Sequence, residues 1–599
     1  MLAENGQRAP VDKEIAVSRR LVSSLATIWR LARPYFFSEE RWSGRILLGT
    51  IIVIELSIVA INVMINQWNN RFYNALQERD WNAFVSELLF FCALAAIYIA
   101  LAVYQLYLNQ WLQIRWRRWM TRQYLDHWLA GANHYRMQLL GDAADNPDQR
   151  IAEDINMFID RTLTLSVGLL NAIVTLCSFI AILWSLSAVA PLHLLGADFA
   201  IPGYLVWAAL IYAVAGTMLT HLVGWPLVSL NFLQQRFEAD FRFNLVRVRE
   251  NSEQIALLGG ESAESHRLLD RFARIVGNWM SIMQRTKRLT FLTASYTQIS
   301  IVFPFIVISP AYFAGAVQLG GLMQTASAFN SVQTALSYFI NAYRQLAEWR
   351  AVIARLEGFN VAVKKGWSAA RTEPAIQLRP QESQRSVKID DLLVRLPQGK
   401  PLVAARDLLL RAGESVLVIG PSGAGKSTLF RAIAGAWPFG SGIVSIPRGA
   451  KLMMLPQRPY FPVGSLAAAI AYPSQPGVFA AKALADVLSA VGLPGLVEEL
   501  EEEAHWNRML SLGEQQRLGI ARAILQQPDY LFLDEATASL DEPAEAALYR
   551  LIAQRLAGTT IVSIGHRSTL HAFHRRSLML VNEEDHYRVS EAARAPAPL

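Results

Sequence analysis

The stretch Ser415-Val416-Leu417-Val418-Ile419-Gly420-Pro421-Ser422-Gly423-Ala424-Gly425-Lys426-Ser427-Thr428-Leu429-Phe430-Arg431-Ala432-Ile433-Ala434 runs from an apolar β-branched segment, through a glycine-rich turn, into a helical pattern. That order is the context a phosphate-binding loop needs. Gly420, Gly423 and Gly425 permit backbone conformations that a Cβ obstructs, so successive N–H groups across 420–428 can converge on phosphate oxygens. A helix beginning near Lys426 adds its positive dipole end to the same point. Lys426 is placed to reach the β- and γ-phosphates of ATP, and the Ser427 hydroxyl to ligate Mg²⁺. A chance glycine turn before a helix is the competing reading. It does not account for strand, loop, Lys-Ser pair and helix arriving together.

Further chemistry follows downstream in a fixed order. Tyr530-Leu531-Phe532-Leu533-Asp534-Glu535 is an apolar strand that ends in two carboxylates. Asp534 can hold Mg²⁺ through water, and Glu535 is placed to orient or deprotonate an attacking water. Gln457, after Met453-Met454-Leu455-Pro456, can sense the metal and the γ-phosphate. His566, after the buried-type strand Ile561-Val562-Ser563-Ile564, is read as a γ-phosphate contact because of its company. In Leu510-Ser511-Leu512-Gly513-Glu514-Gln515-Gln516-Arg517, Ser511 opens a helix and Gly513 allows close backbone approach, which makes a second anion site. One ATP cannot readily meet both anion sites of one subunit, so the chemistry implies a head-to-tail dimer with two ATPs sandwiched.

The amino-terminal half is of another kind. At 599 residues the chain is too long for one core. A hydrophobic fraction of 53%, a charged fraction of 18% and 16 Trp point to a membrane protein. The net charge of +7 is carried by basic loops beside apolar spans, which suits an anionic lipid leaflet and not nucleic acid. Cys92 and Cys177 sit inside apolar runs, with neither disulfide nor metal-site spacing, and so read as small buried hydrophobes. Residues 1–40 show no secretory signal, and 24–37 read as an amphipathic segment on the membrane surface.

Six spans are expected at about 46–65, 84–108, 163–186, 201–223, 299–316 and 322–341, each near the roughly 20 residues a crossing needs. Arg115, Arg117, Arg118 and Arg122 follow the second span, and 224–298 is rich in Arg. By the positive-inside rule both termini and the long connections are cytoplasmic.

Glu55 lies mid-span, either facing a cavity, a partner or a proton path, or acting as a structural carboxyl paired to a neighbouring helix. Asn330, Thr334, Ser337 and Asn341 recur at helical spacing, flanked by Ser327 and Gln333; they either line a wet pathway or bond adjacent helices, and the length of the stripe favours the pathway. The expected domains are a cytoplasmic segment at 1–40, a six-span region at 41–361, a linker at 362–386, a nucleotide-binding domain at 387–590 and a disordered tail at 591–599.

With these motifs in hand, residues 20–590 resemble an ABC half-transporter: one helical six-span domain of the type IV exporter-like fold fused to one α/β P-loop nucleotide-binding domain. The resemblance makes 420–428 the Walker A motif and 530–535 Walker B with its catalytic Glu535. It also makes Gln457 the Q-loop, 510–514 the signature, Ser539-Leu540-Asp541 the D-loop and His566 the switch histidine. The signature departs from the common form, having Leu512 for Gly and Glu514 for Gln. Near Leu396 the usual adenine-stacking aromatic is replaced.

More narrowly, the segments LSLGEQQR, LPQRPYFPVGSL and SIGHR are similar to the bacterial SbmA/BacA-related group with a fused ATP-binding domain (YddA-like and BclA-like). NPDQRIAEDI and SEQIALLGGE resemble the coupling segments of that group and of the peroxisomal ABCD transporters. The resemblance implies an ATP- and Mg²⁺-dependent homodimer in a bacterial inner membrane that imports peptides or other hydrophilic solutes. An ABCD-like carrier of acyl-CoA or lipid is the alternative within transport. A mechanical ATPase merely anchored in the membrane would need only one or two spans.

Overall fold

The computed structural model describes residues 26–141, 146–189, 192–194, 197–199, 201–371, 373–382 and 385–592. The expected cytoplasmic segment before 26 and the tail after 592 lie outside them. The chain forms two compact units: one combines residues up to Gln123 with Asp148–Glu357, and the other combines Tyr124–Pro147 with Gly358 onward.

The first unit is helical. Helix α1 (26–36) is amphipathic: Leu31, Ala32 and Tyr35 are buried, Tyr35 stacks on Trp116, and Trp29, Arg33 and Phe37 are exposed. The long helices that follow are α2 (Arg41–Glu78) and α3 (Trp81–Leu129). After a turn and the short α4 (Asn133–Leu139) of the second unit come α5 (Ile155–Val189) and α6 (Tyr204–Glu250). The short α7 (Ser252–Leu257) then leads to α8 (Glu261–Phe313) and α9 (Leu319–Ala369). A small hairpin, β1 (Leu192–Leu194) with β2 (Ala197–Phe199), joins α5 to α6.

At about 1.5 Å per residue these long helices exceed the ~30 Å hydrocarbon core. The Arg-rich connections of the sequence are therefore mostly helical continuations, and α6 and α8 run through much of 224–298. Helix α8 continues through both Pro304 and Pro310. Cys92 of α3 and Cys177 of α5, expected to be buried, are both exposed.

Among the described residues, five helices are long and apolar enough to cross a membrane, the last being Glu261–Phe313. Helix α9 covers the expected sixth span and is long enough, but its polar side chains lower its hydropathy. Part of that polarity is consumed by α2. Asn66 donates to Gln324 O at 3.0 Å, Asn70 to Gln324 Oε1 at 2.7 Å, and the Gly320 amide to Asn74 Oδ1 at 2.8 Å. A Cβ on Gly320 would fall 1.9 Å from Asn70 O, so only glycine allows this approach. Interhelical amide bonds of this kind hold spans together where lipid supplies no hydrophobic drive.

The stretch expected as a linker at 362–386 is largely structured. Helix α9 continues to Ala369, Asn133 donates to Val363 O at 3.1 Å, and Tyr124 stacks on Phe359. The charges of Lys364 and Lys365 broke the apolar pattern, while Ala362, Val363 and Gly366 kept a buried face. Residues Gln377–Gln381 then form β3.

The second unit continues with β4 (Ser386–Arg395), β5 (Pro401–Ala405), β6 (Leu408–Arg411) and β7 (Ser415–Ile419). Helix α10 (Lys426–Ile433), β8 (Gly440–Pro447) and β9 (Leu452–Leu455) come next. After the short helices Leu466–Ala471 and Ala481–Ala490, which also pack into the core, come α11 (Leu512–Gln526), β10 (Tyr530–Asp534), α12 (Glu542–Arg555), β11 (Thr560–Ile564), β12 (Arg576–Asn582) and β13 (Tyr587–Glu591).

One sheet has the order β3-β8-β4-β5-β13-β12-β7-β11-β10-β9, with β6 on β4. Strands β9, β10, β11, β7 and β12 are parallel neighbours. Tyr530–Asp534 is buried throughout, as expected of a strand covered on both faces. Leu417, Leu531 and Leu533 face the cluster that contains α11, while Val416, Val418 and Phe532 face the other, which Leu139 also joins. Register pairs Leu533 with Leu455, Asp534 with Ile564, and Ile564 with Val418. The carboxyl ends of four strands therefore form one row, where open α/β sheets place their ligands.

Candidate ATP site and candidate transport pathway

The loop after β7 is shaped by Gly423 and Gly425 at φ 79° and 88°. A Cβ on Gly425 would meet the side chains of Val403 and Leu402 within 2.8 Å. Lys426 folds back across the loop, donating to Gly420 O at 2.8 Å and Pro421 O at 2.9 Å. Burial holds its ammonium below the usual lysine range, opposed by the nearby Glu535 and Asp534 carboxylates. Ala424 is buried; Pro421 and Ser422 are exposed, and Thr428 is half-buried in α10.

Ser427 Oγ donates to Asp534 Oδ1 at 2.7 Å. Burial pushes the Asp534 carboxyl up; the Ser427 hydrogen bond, Arg431 and Lys426 act the other way, and Glu535 adds to the rise. The loop suits the phosphates of ATP, and a hydroxyl beside a carboxylate is the hard-oxygen pair Mg²⁺ prefers. When bound, that ion would polarise phosphoryl oxygens.

Glu535 has φ 53°, an uncommon conformation for a non-glycine residue and one that clusters at working sites. Its amide donates to Ile564 O at 3.2 Å, and its Oε1 lies 3.1 Å from His566 Nε2. The sheet thus brings the loop, Asp534, Glu535 and His566 together. Gln457, after β9, has an exposed side chain, and its carbonyl accepts from Gln516 Nε2 at 3.0 Å.

The second anion site expected from the sequence falls at the start of α11. Ser511 caps it, and Glu514 answers with a reciprocal bond to the Ser511 amide at 2.9 Å and accepts the Ser511 hydroxyl at 2.7 Å. Ser511 and Glu514 thus form a capping box, a role that Gln at 514 could also fill. Gly513 lies against the D-loop, where a Cβ would be 3.3 Å from Leu540 Cδ2. Asp541 caps α12, accepting from the Ala544 amide at 2.9 Å. Leu396, where an adenine-stacking aromatic was sought, packs against the sheet core.

Three supporting residues were not found from sequence. Glu545, 3% exposed, accepts from Thr537 at 2.6 Å and from Arg567 at 3.4 Å, tying together the residues that follow Glu535 and His566. Arg522 donates to Tyr460 O and Ala469 O and lies over the Phe461 ring; burial pushes its guanidinium down to about 10. Gln516 is the third. Each acts through partners distant in sequence, which no local pattern announces.

In the membrane unit Glu55 is buried. It accepts from Gln105 of α3 and from Asn171 Nδ2 of α5 at 2.5 Å. In α9, Asn330 and Thr334 are exposed and Ser337 is half-buried, while Ala328, Phe329, Val332 and Gln333 are buried. The Asn341 side chain lies outside the described part.

Residues 31–313 match the family described as ABC transporter transmembrane region 2, and residues 405–538 match the ABC transporter family. An uncharacterized ABC transporter ATP-binding protein of Haemophilus influenzae is 36% identical, covering 92% of this chain and 91% of its own. The inner membrane ABC transporter ATP-binding protein YddA of Escherichia coli is 35% identical, with 90% and 94% covered. The chloroplastic ABC transporter D family member 2 of Arabidopsis thaliana is 31% identical over 93% of this chain and 87% of its own. A bacterial Atm1-family ABC exporter solved with ATP bound shares the fold at a TM-score of 0.69, with 16% identity, covering 92% of this chain and 95% of that one. This chain therefore belongs to the ABC transporter family, as a half-transporter whose helical membrane region and P-loop ATP-binding region, an ATPase coupled to transport, share one polypeptide.

Proposed function

We propose that two copies of this chain assemble in a bacterial inner membrane, termini on the cytoplasmic side, and import peptides and other hydrophilic solutes. In this reading Lys426 and the loop 420–428 hold ATP, Ser427, Asp534 and Gln457 serve Mg²⁺, and Glu535 activates water beside His566. Ser511, Gly513 and Glu514 of one subunit close on the nucleotide of the other, next to the Asp541 loop.

The observation that carries the cargo assignment is the stripe on α9. Along α9, Asn330 and Thr334 are exposed and Ser337 is half-buried, while Val332 and Gln333 are buried. Neutral hydrogen-bonding groups can replace water around many hydrophilic solutes, but they offer little apolar area to an acyl chain. Specificity should then be broad. Glu55, held by two amides, is proposed to tune the adjoining helices of this pathway. The competing reading is a carrier of acyl-CoA or lipid, which the resemblance to ABCD transporters implies.

Expression of the chain in a bacterium lacking peptide uptake should sensitise it to peptide antibiotics that act inside the cell. The Lys426→Ala variant should not. Protein purified into lipid should change its ATPase rate with peptides more than with acyl-CoA. Stimulation by acyl-CoA alone, with peptide sensitivity unchanged, would replace the peptide reading with the lipid one.

A further inference from the structure

The signature helix carries two adjacent glutamines that turn to different tasks. Gln515 stays within its own neighbourhood, donating to Asn507 O at 3.0 Å and Leu510 O at 2.8 Å. Gln516, only 1% exposed, spans two loops. Its Nε2 donates to Gln457 O at 3.0 Å, and its Oε1 accepts from the Ser539 amide at 3.0 Å. Both ends of one buried amide are thus spent on backbone, one on the Q-loop and one on the D-loop. A buried amide that loses either partner leaves a polar group unpaired, so the two loops cannot shift independently at low cost.

The surroundings reinforce the connection. Gly513, at the start of the same helix, abuts Leu540. The segment after Gln457 is also fixed to this region: Asn507 donates to Pro459 O at 2.8 Å and accepts from the Phe461 amide at 3.0 Å, and Arg522 donates to Tyr460 O at 2.9 Å. Of the glutamine and arginine side chains holding this segment, Gln516 is the one that also reaches the D-loop. Ser539 leads directly to Asp541, whose carboxylate caps α12.

We propose that Gln516 is a positioning residue that couples the two ATP sites of the dimer. The proposal rests on the head-to-tail reading above, in which Gln457 attends the nucleotide held by its own chain while the Ser539–Asp541 loop borders the site completed with the other. Any displacement of Gln457 on nucleotide binding is then passed through one amide to the loop at the opposite site. Coupling of this kind requires a shared element that both sites bias.

The test uses full-length dimers of fixed composition, co-expressed with two tags and purified through both. One subunit carries Glu535→Gln and the other an intact Glu535; hydrolysis is divided by that of the dimer with both glutamates intact. With native Gln516 in both subunits the ratio should fall well below one half, to about a tenth, because the blocked site holds back its neighbour. With Gln516→Met in both subunits, the ratio should rise to about one half, the value for two independent equal sites. Gln516→Glu, which preserves shape and one acceptor, serves if the methionine variant does not accumulate. It should also raise the ratio.

A ratio that stays low in the Gln516 variants would overturn the coupling role and leave the two-site reading intact. A ratio of one half with native Gln516 would overturn it as well, since there would be no coupling to carry. Failure to recover any doubly tagged dimer would instead sink the head-to-tail reading. A purely structural role would lower both numerator and denominator and leave the ratio where it was.

Discussion

Glu535→Gln should lower ATP turnover by about two to four decades while ATP still binds, the range expected when a positioned general base is removed. The substitution preserves the shape of the side chain and the hydrogen bond from the residue 535 amide to Ile564 O, so the φ 53° turn has no steric reason to relax. What it removes is the carboxylate that lies 3.1 Å from His566 Nε2. Lys426, the glycine loop and the Ser427–Asp534 pair are untouched, so nucleotide affinity should be retained. Phosphate release under saturating Mg-ATP, set beside equilibrium binding of a fluorescent nucleotide, separates the two effects. Near-normal turnover in this variant would remove Glu535 from its assigned role.

Ser511→Arg should have a comparably large effect through a different route. The Ser511 hydroxyl caps α11 and bonds the Glu514 carboxylate at 2.7 Å. Losing such a cap costs about 1 kcal/mol, too little to unfold the nucleotide-binding region. A bulky guanidinium at an exposed helix start would nevertheless prevent close approach of the facing loop. Hydrolysis should therefore vanish, while each subunit still binds nucleotide through its own 420–428 loop. The milder Ser511→Ala should fall between the two, since it deletes the hydroxyl without adding bulk. Hydrolysis that survives Ser511→Arg would mean that α11 does not close an ATP site.

Much of this was legible in the sequence because the chemistry is local. A phosphate cradle needs its glycines, lysine and hydroxyl within a few residues, and a buried parallel strand reads as a near-continuous apolar run, as Tyr530–Leu533 does before Asp534. What stayed hidden depends on contacts remote in the chain. Gln515 and Gln516 are indistinguishable on paper, and only the fold gives Gln516 partners 59 and 23 positions away.

Lys364 and Lys365 made the end of α9 read as a linker, yet Asn133 and Tyr124 hold it as helix. The polarity of the sixth span hid two uses in one pattern: residues near Gln324 bond α2, whereas Asn330 and Thr334 remain exposed. Glu514, a departure from the common signature, is tied to Ser511 by reciprocal bonds that only the fold shows.

In the proposed dimer, ATP is held between the loop 420–428 of one subunit and the α11 start of its partner. Site-directed thiol cross-linking tests it most directly. Cys92 and Cys177, both exposed, are first replaced by Ser. Ser422→Cys is then placed in one tagged chain, Ser511→Cys in the other, and both carry Glu535→Gln so that Mg-ATP is retained. A short bifunctional thiol reagent should join the two chains into one covalent dimer, strongly promoted by Mg-ATP and absent when either cysteine is missing. If Mg-ATP promotes no such dimer, and a chain carrying both cysteines is bridged only within itself, the shared-site account is contradicted.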